Sequence, residues 1–173
     1  MLIERVWAMP SQWTFTIGPI RKLLMEELTG GYYLDPFAGR HSIAQVTNDL
    51  NPDINVASHD DALTFLQQQP SATYDGVLFD PPYSITQAAE CYKSFGKEKL
   101  VVSVGNMAYW KKCKDELARC LKVGGKAICC GWSSQGLGKS RGFEMTRILL
   151  VPHGGSKNDT IVTVETKSAH TSS

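Results

Sequence analysis

The apolar residues of this chain alternate between short continuous runs and stripes at helical spacing. Ile20, Leu23, Leu24 and Leu28 share one helical face behind Gly18-Pro19, a helix-start pair, and Gly30-Gly31 closes the stretch. The spacing predicts a helix over 18–28. Tyr32 to Asp35 then reads as a short strand, with Pro36 to Arg40 as its turn. A short helix over 41–46 and a second strand near 47–50 follow, ending in Asp49-Leu50-Asn51-Pro52. Asp60 and Asp61 precede a helix carrying Leu63, Phe65 and Leu66, stopped by Pro70. Gly76 to Phe79 is a buried strand.

Further on, Trp110, Cys113, Leu117, Cys120 and Leu121 share a face over 106–121, with Lys111, Lys112, Lys114 and Glu116 opposite. Gly124-Gly125 is read as the end of that helix. Lys126 to Trp132 reads as a strand and 133–142 as a glycine-rich loop. Phe143 to Val151 and Asp159 to Glu165 form an antiparallel hairpin around a turn at 153–158. Residues 1–13, with Trp7, Pro10 and Trp13, read as an extended lead-in. Residues 84–104 are polar, bear lysines and fit no regular element, which is the profile of a functional lid. Strand and helix in alternation, closed by a hairpin, imply an α/β fold, a doubly wound sheet with an antiparallel edge element. The expectation is one domain over 1–173, with no repeat or linker, and a polar tail that frays after Lys167.

Composition narrows the function classes. A formal net charge of +1 announces no polyanionic partner, so any nucleic-acid footprint is local. No apolar run approaches the ~20 residues that cross a bilayer, and the first residues lack a signal-peptide core. The five cysteines are odd in number and lack metal-ligand spacing. Cys113, Cys120 and the Cys129-Cys130 pair sit in apolar patterns and read as reduced packing thiols, which points to a cytoplasmic setting. His41, His59, His153 and His170 are scattered, so no metal is expected.

The chemistry concentrates at strand ends. Asp80-Pro81-Pro82-Tyr83 follows the Gly76–Phe79 run and forms a proline-stiffened polar rim with an aromatic ring. Asp35-Pro36-Phe37-Ala38-Gly39 is a small-residue turn after an earlier strand, and Asp49 stands one strand later, where an acid accepts from ribose hydroxyls. No Gly-x-Gly-x-x-Gly stretch is present, so a nucleoside ligand without pyrophosphate is indicated, and S-adenosylmethionine meets that description. Asp60 and Asp61 have two readings, a helix N-cap and a contact to the ligand's adenine amine. Lys139 and Arg141 in the 133–142 loop, and Lys93 and Lys97 near Tyr92 and Phe95, are candidate phosphate contacts. Each is equally a solvated surface charge.

Together, Asp35-Pro36-Phe37-Ala38-Gly39 and Asp80-Pro81-Pro82-Tyr83 resemble the amino-methyltransferases that use S-adenosylmethionine and methylate exocyclic amines of nucleobases. The compact layout, including Asn158-Asp159-Thr160-Ile161, is similar to small phage or prophage DNA adenine-N6 methyltransferases. Arg40 stands where the family often has a second Gly or Ser. No segment is long enough for a separate target-recognition domain. The resemblance implies a Rossmann-like methyltransferase sheet, S-adenosylmethionine as cofactor and DNA as substrate, RNA remaining open, in a bacterial or phage-infected cytoplasm. It implies cofactor contacts from Thr16, Asp35, Pro36, Phe37, Gly39, Asp49, and Asp60 or Asp61. Asp80 and the Pro81 carbonyl would accept from the amine of a flipped-out base, Pro82 would stiffen the rim, and Tyr83 would stack on the ring. Cytosine N4 or an RNA base is the alternative substrate. A non-catalytic nucleic-acid-binding protein on the same fold is the alternative class. Small size also suggests a homodimer on DNA.

Overall fold

The computed structural model describes residues 1–93, 96 and 107–169. The helices are α1 (Gly18–Glu27), α2 (Ala62–Gln68), α3 (Ile85–Lys93) and α4 (Met107–Cys120). The strands are β1 (Leu2–Arg5), β2 (Tyr33–Asp35), β3 (Val46–Thr47), β4 (Tyr74–Phe79), β5 (Leu121–Gly131), β6 (Phe143–Val151) and β7 (Thr160–Lys167). They form one sheet in the order β1-β6-β7-β5-β4-β2-β3. Strands β3, β2, β4 and β5 run parallel, while β7 is antiparallel to both β5 and β6.

The period-two alternation of the central strands sorts their side chains onto two faces. Leu78, Ile128 and Cys130 pack with Ile20, Leu23 and Leu24 of α1. Val77, Phe79, Ala127 and Cys129 pack with Phe65 of α2 and Cys113 and Leu117 of α4. Helices therefore cover both faces, as a doubly wound sheet requires. Cys113, Cys120, Cys129 and Cys130 are buried free thiols, and burial pushes Cys113 and Cys129 up to about 12. Among the described residues no helix is long and apolar enough to cross a membrane.

Several sequence expectations need correction. Residues 2–5 are not a mere lead-in, because β1 adds a parallel edge strand to β6, with Leu2 opposite Arg147. Arg147 fixes it by pairing with Glu4 of β1 at 2.6 Å and with Glu26 and Glu27 of α1 at 2.8 and 3.0 Å. The helix expected over 41–46 does not form. There the Ser42 hydroxyl donates to Asp35 at 2.5 Å and accepts from Ala44 N at 3.3 Å, and Gln45 accepts from Tyr33 N at 2.8 Å, so side chains take up backbone groups of and beside this segment. The second strand is short, continued only by an isolated bridge between Asn48 and Ser58. Gly124-Gly125 does not end α4, which stops at Cys120. The pair lies inside β5 at an irregularity, with Gly124 at φ +80°. The first part of the 84–104 stretch is helical, as α3. Apart from Gly96, the rest of the expected lid, with Phe95, Lys97 and Lys99, lies outside the described residues, as do His170 and the end of the tail.

Candidate active site

The parallel strands deliver their carboxyl ends to one edge, and antiparallel β7 begins at that same edge. In lateral order the rim carries Asp49 after β3, Asp35 ending β2, Asp80 after β4, Trp132 after β5 and Thr160 opening β7. A cavity of about 540 Å³ runs along it, within the range of small-ligand sites. Pro36, Phe37, Gly39, Asp49, Asp60 and Asp61 line one part, and Asp80-Pro81-Pro82-Tyr83 lines another. The two motifs singled out in the sequence thus open into one space.

The turn after β2 is built from beneath. Asp35 is fully buried and does not line the cavity, which corrects the expectation of a direct ligand contact. Its carboxylate accepts from Phe37 N at 3.0 Å and from the Ser42 hydroxyl. Burial pushes its carboxyl up to about 7, against the lowering effect of those two donors. Asp49 does face the cavity. Gly39 N donates to one of its oxygens at 2.8 Å and Asn51 N to the other at 2.9 Å, which holds the carboxylate in a set orientation. Gly39 has φ +54°, which favours glycine, and a Cβ there would crowd the Trp13 ring at 3.1 Å.

Asn48, one residue before Asp49, is the buried link between the two turns. Its amide donates to the carbonyls of Pro36 and Asp60 at 3.2 and 3.0 Å, and its oxygen accepts from Asp60 N at 3.0 Å. Asp61 is the N-cap of α2, accepting from Leu63 N and Thr64 N, while Tyr109 of α4 donates to its second oxygen at 2.8 Å. Both oxygens are therefore engaged. Asp60 carries one side-chain bond, from Ser58 at 2.9 Å.

At the other motif, the Tyr83 hydroxyl donates to Asp80 Oδ1. The Thr14 hydroxyl lies beside both and lowers the pKa of each. Asp80 keeps some surface toward the cavity, yet burial raises its carboxyl pKa; the bonds from Tyr83 and Thr14 oppose the rise. Burial, then the Asp80 charge, hold Tyr83 in its neutral form far above the ordinary tyrosine range. The edge of the Tyr83–Trp132 pair is T-shaped, with centroids 5.8 Å apart, and Trp132 is 43% exposed. A planar amine-bearing ring brought here meets a carboxylate, the rigid Pro81-Pro82 segment and two aromatic faces.

Thr16 is exposed and is not on the cavity wall. It caps its own turn, donating to Trp13 O at 2.7 Å, and Thr14 takes the inward place instead. A 3-10 turn over Thr14–Thr16 makes that two-residue difference, and the apolar pattern carries no sign of it. Of the expected nucleic-acid contacts, Lys93 is exposed at the end of α3 and Lys139 is exposed in a 3-10 turn. Arg141 is committed to Asp115 at 2.7 Å and to Leu137 O at 2.8 Å. It lines an adjoining groove of about 530 Å³ that shares Pro81, Pro82, Tyr83 and Trp132 with the main cavity. Asn48, Ser42, Thr14 and Trp132 escaped the sequence reading. Asn48 and Trp132 stand at strand ends, the one positional signal that marks them.

No protein-family model matches the sequence, and comparison with curated proteins finds no match either. Solved structures do resemble it. The 1,6-didemethyltoxoflavin-N1-methyltransferase of Burkholderia thailandensis, with bound 1,6-didemethyltoxoflavin and S-adenosylhomocysteine, superposes with a TM-score of 0.60 at 13% identity, over 88% of this chain and 78% of that one. This chain has the Rossmann-like methyltransferase fold. TrmN from Thermus thermophilus matches with a TM-score of 0.54 at 17% identity, over 87% of this chain and 49% of that one. The N-methyltransferase NodS from Bradyrhizobium japonicum WM9 gives 0.54 at 10% identity, over 86% and 94%.

Proposed function

We propose that this protein transfers a methyl group from S-adenosylmethionine to the N6 amine of adenine in DNA. The observation that carries the reading is the meeting of Asp80, Tyr83 and the Pro36–Gly39 turn on one cavity. The cavity suits the cofactor chemically. Its wall is rich in carboxylates, which favour a cationic sulfonium, and Asp49 is oriented to accept from ribose hydroxyls. The S-adenosylhomocysteine bound in the 1,6-didemethyltoxoflavin-N1-methyltransferase supports the same assignment. Phe37 and Gly39 would border it, with Asp60, whose carboxylate holds one side-chain bond against the three bonds on Asp61, accepting from its adenine amine. When bound, it supplies an electrophilic methyl group on sulfur.

An adenine amine is a poor nucleophile because its lone pair is delocalised into the ring. Asp80 and the Pro81 carbonyl, as acceptors for its two N–H groups, would favour a pyramidal nitrogen with the lone pair free. Pro82 keeps those acceptors fixed, and Tyr83 and Trp132 would hold the ring. Positioning supplies much of the acceleration in such a transfer. A base within duplex DNA has to be flipped out first, at about a few kcal/mol. A homodimer on DNA is also part of the proposal.

The test is incubation with labelled S-adenosylmethionine and DNA or RNA, followed by nucleoside analysis. N6-methyladenine in DNA is the expected product. N4-methylcytosine, or methylated adenosine only in RNA, would replace the substrate. Cofactor binding without transfer to any nucleic acid would favour a non-catalytic binding protein.

A further inference from the structure

Lys157 is the one lysine or arginine among the described residues on the wall of the main cavity, which otherwise carries Asp49, Asp60, Asp61 and Asp80. It is exposed and, among the described residues, forms no ion pair. It belongs to the turn between β6 and β7, whose Gly154 and Gly155 adopt φ +73° and +58°. Lys157 N closes the turn onto Gly154 O at 3.3 Å. Buried His153 anchors the turn at both ends, bonding Ala8 O through Nδ1 and the Thr160 hydroxyl through Nε2, each at 2.8 Å. Thr160 opens β7, and the next residue, Ile161, pairs with Gly131, directly before Trp132. The lysine is thus mounted on a braced turn on the Trp132 side of the rim, while the ribose acid Asp49 stands on the far side of Asp80.

We infer that Lys157 binds a backbone phosphate of a nucleic-acid strand whose base is held at Asp80 and Tyr83. The inference rests on the reading of this cavity as a nucleobase methyltransferase site. A polyanion approaching a wall of carboxylates is repelled except where a cation offsets them, and a lysine ammonium is a compact point charge suited to phosphate. Its place at the ring-holding end assigns it to the substrate rather than to the cofactor. The cofactor's own carboxylate is the other anion of similar chemistry, and the experiment separates the two.

The experiment measures binding of an adenine-containing single-stranded oligonucleotide and of S-adenosylhomocysteine to the wild type, Lys157→Gln and Lys157→Arg, across a salt series. For Lys157→Gln the expected result is oligonucleotide binding weakened about fivefold at low salt, the effect of one exposed charge pair. The salt slope should be shallower by about 0.7, one phosphate contact fewer on a single strand. S-adenosylhomocysteine binding should be unchanged, and Lys157→Arg should restore the oligonucleotide. An unchanged slope, or a loss confined to S-adenosylhomocysteine, overturns the inference. Wild-type methylation of DNA with an unchanged Lys157→Gln slope sinks the phosphate contact alone. A changed slope without wild-type methylation of any nucleic acid sinks the methyl-transfer reading and leaves the contact standing.

Discussion

The hydroxyl of Tyr83 donates its hydrogen to the carboxylate of Asp80, three residues earlier in the chain. The two residues expected to act separately, one on the amine and one on the ring, are therefore coupled before any substrate arrives. A carboxylate has about four lone-pair sites, so Asp80 can hold Tyr83 and still accept from an amine. Burial and the Asp80 charge hold the Tyr83 hydroxyl neutral well above the ordinary tyrosine range, which leaves Asp80 as the group whose protonation gates acceptance.

Replacing Asp80 by Asn should lower methyl transfer at least about a hundredfold, the loss typical of a residue that acts on developing charge. S-adenosylhomocysteine affinity should stay near wild type. Tyr83→Phe keeps the ring and removes one charge-assisted bond, so transfer should fall about tenfold. That bond lowers the Asp80 pKa, hence the acid limb of the rate profile should move to higher pH in Tyr83→Phe. A limb that stays in place would uncouple the pair.

Asp35 makes a pH prediction of stability. Its carboxyl lies at about 7 in the fold, against 3.8 for a free group. Between those values the folded state keeps a proton that the unfolded chain releases. The stability it contributes is complete below the lower value and is lost as pH rises through the upper one. The size is on the order of a few kcal/mol. Urea midpoints recorded from pH 4 to 8 should decline less steeply in Asp35→Asn than in the wild type.

Asn48→Ala should destabilise the fold by about 2–3 kcal/mol, because it orphans buried groups of Pro36 and Asp60 that the amide now pairs. Asn48→Asp should be worse, since it turns an acceptor toward two carbonyls. Both should weaken S-adenosylhomocysteine binding by loosening the two turns. Calorimetric titration and thermal melts measure the pair of effects, and a melt shift without an affinity change would limit Asn48 to a structural role.

Arg147→Met should cost about 1–2 kcal/mol, less than a fully buried ion pair because Glu4 and Glu26 remain partly solvated. Its signature is local. Amides of β1 should exchange faster with solvent while those of β4 and β5 hold their protection.

Where a segment's own residues decide its structure, the sequence was readable. Phe143–Val151 forms a strand with the limits expected of it, α1 lies where its stripe and Gly18-Pro19 put it, and Asp61 caps α2. Leu2–Arg5 has no such self-description: four residues, two of them charged, become a strand only because Arg147 and the edge of β6 receive them. The stretch expected as a helix over 41–46 is instead tied by Ser42 to Asp35, seven residues back. The site followed the same division. The motif carboxylates were visible because strand ends mark them, whereas Thr14, Asn48 and Lys157 gain their places from turns and from contacts distant in sequence.

The pairing of β1 with β6 also sets a schedule. During synthesis Leu2–Arg5 leave the ribosome long before Arg147–Leu150 exist to receive them. The strap bearing Trp13 and Thr14 is tied down through the same partners, by Val6 on Leu150 and Ala8 on Pro152. The early strands can assemble while that strap still hangs loose. The cavity cannot close before those partners are made, so a nascent chain carries every acid of the site without the pocket that would let them hold a ligand.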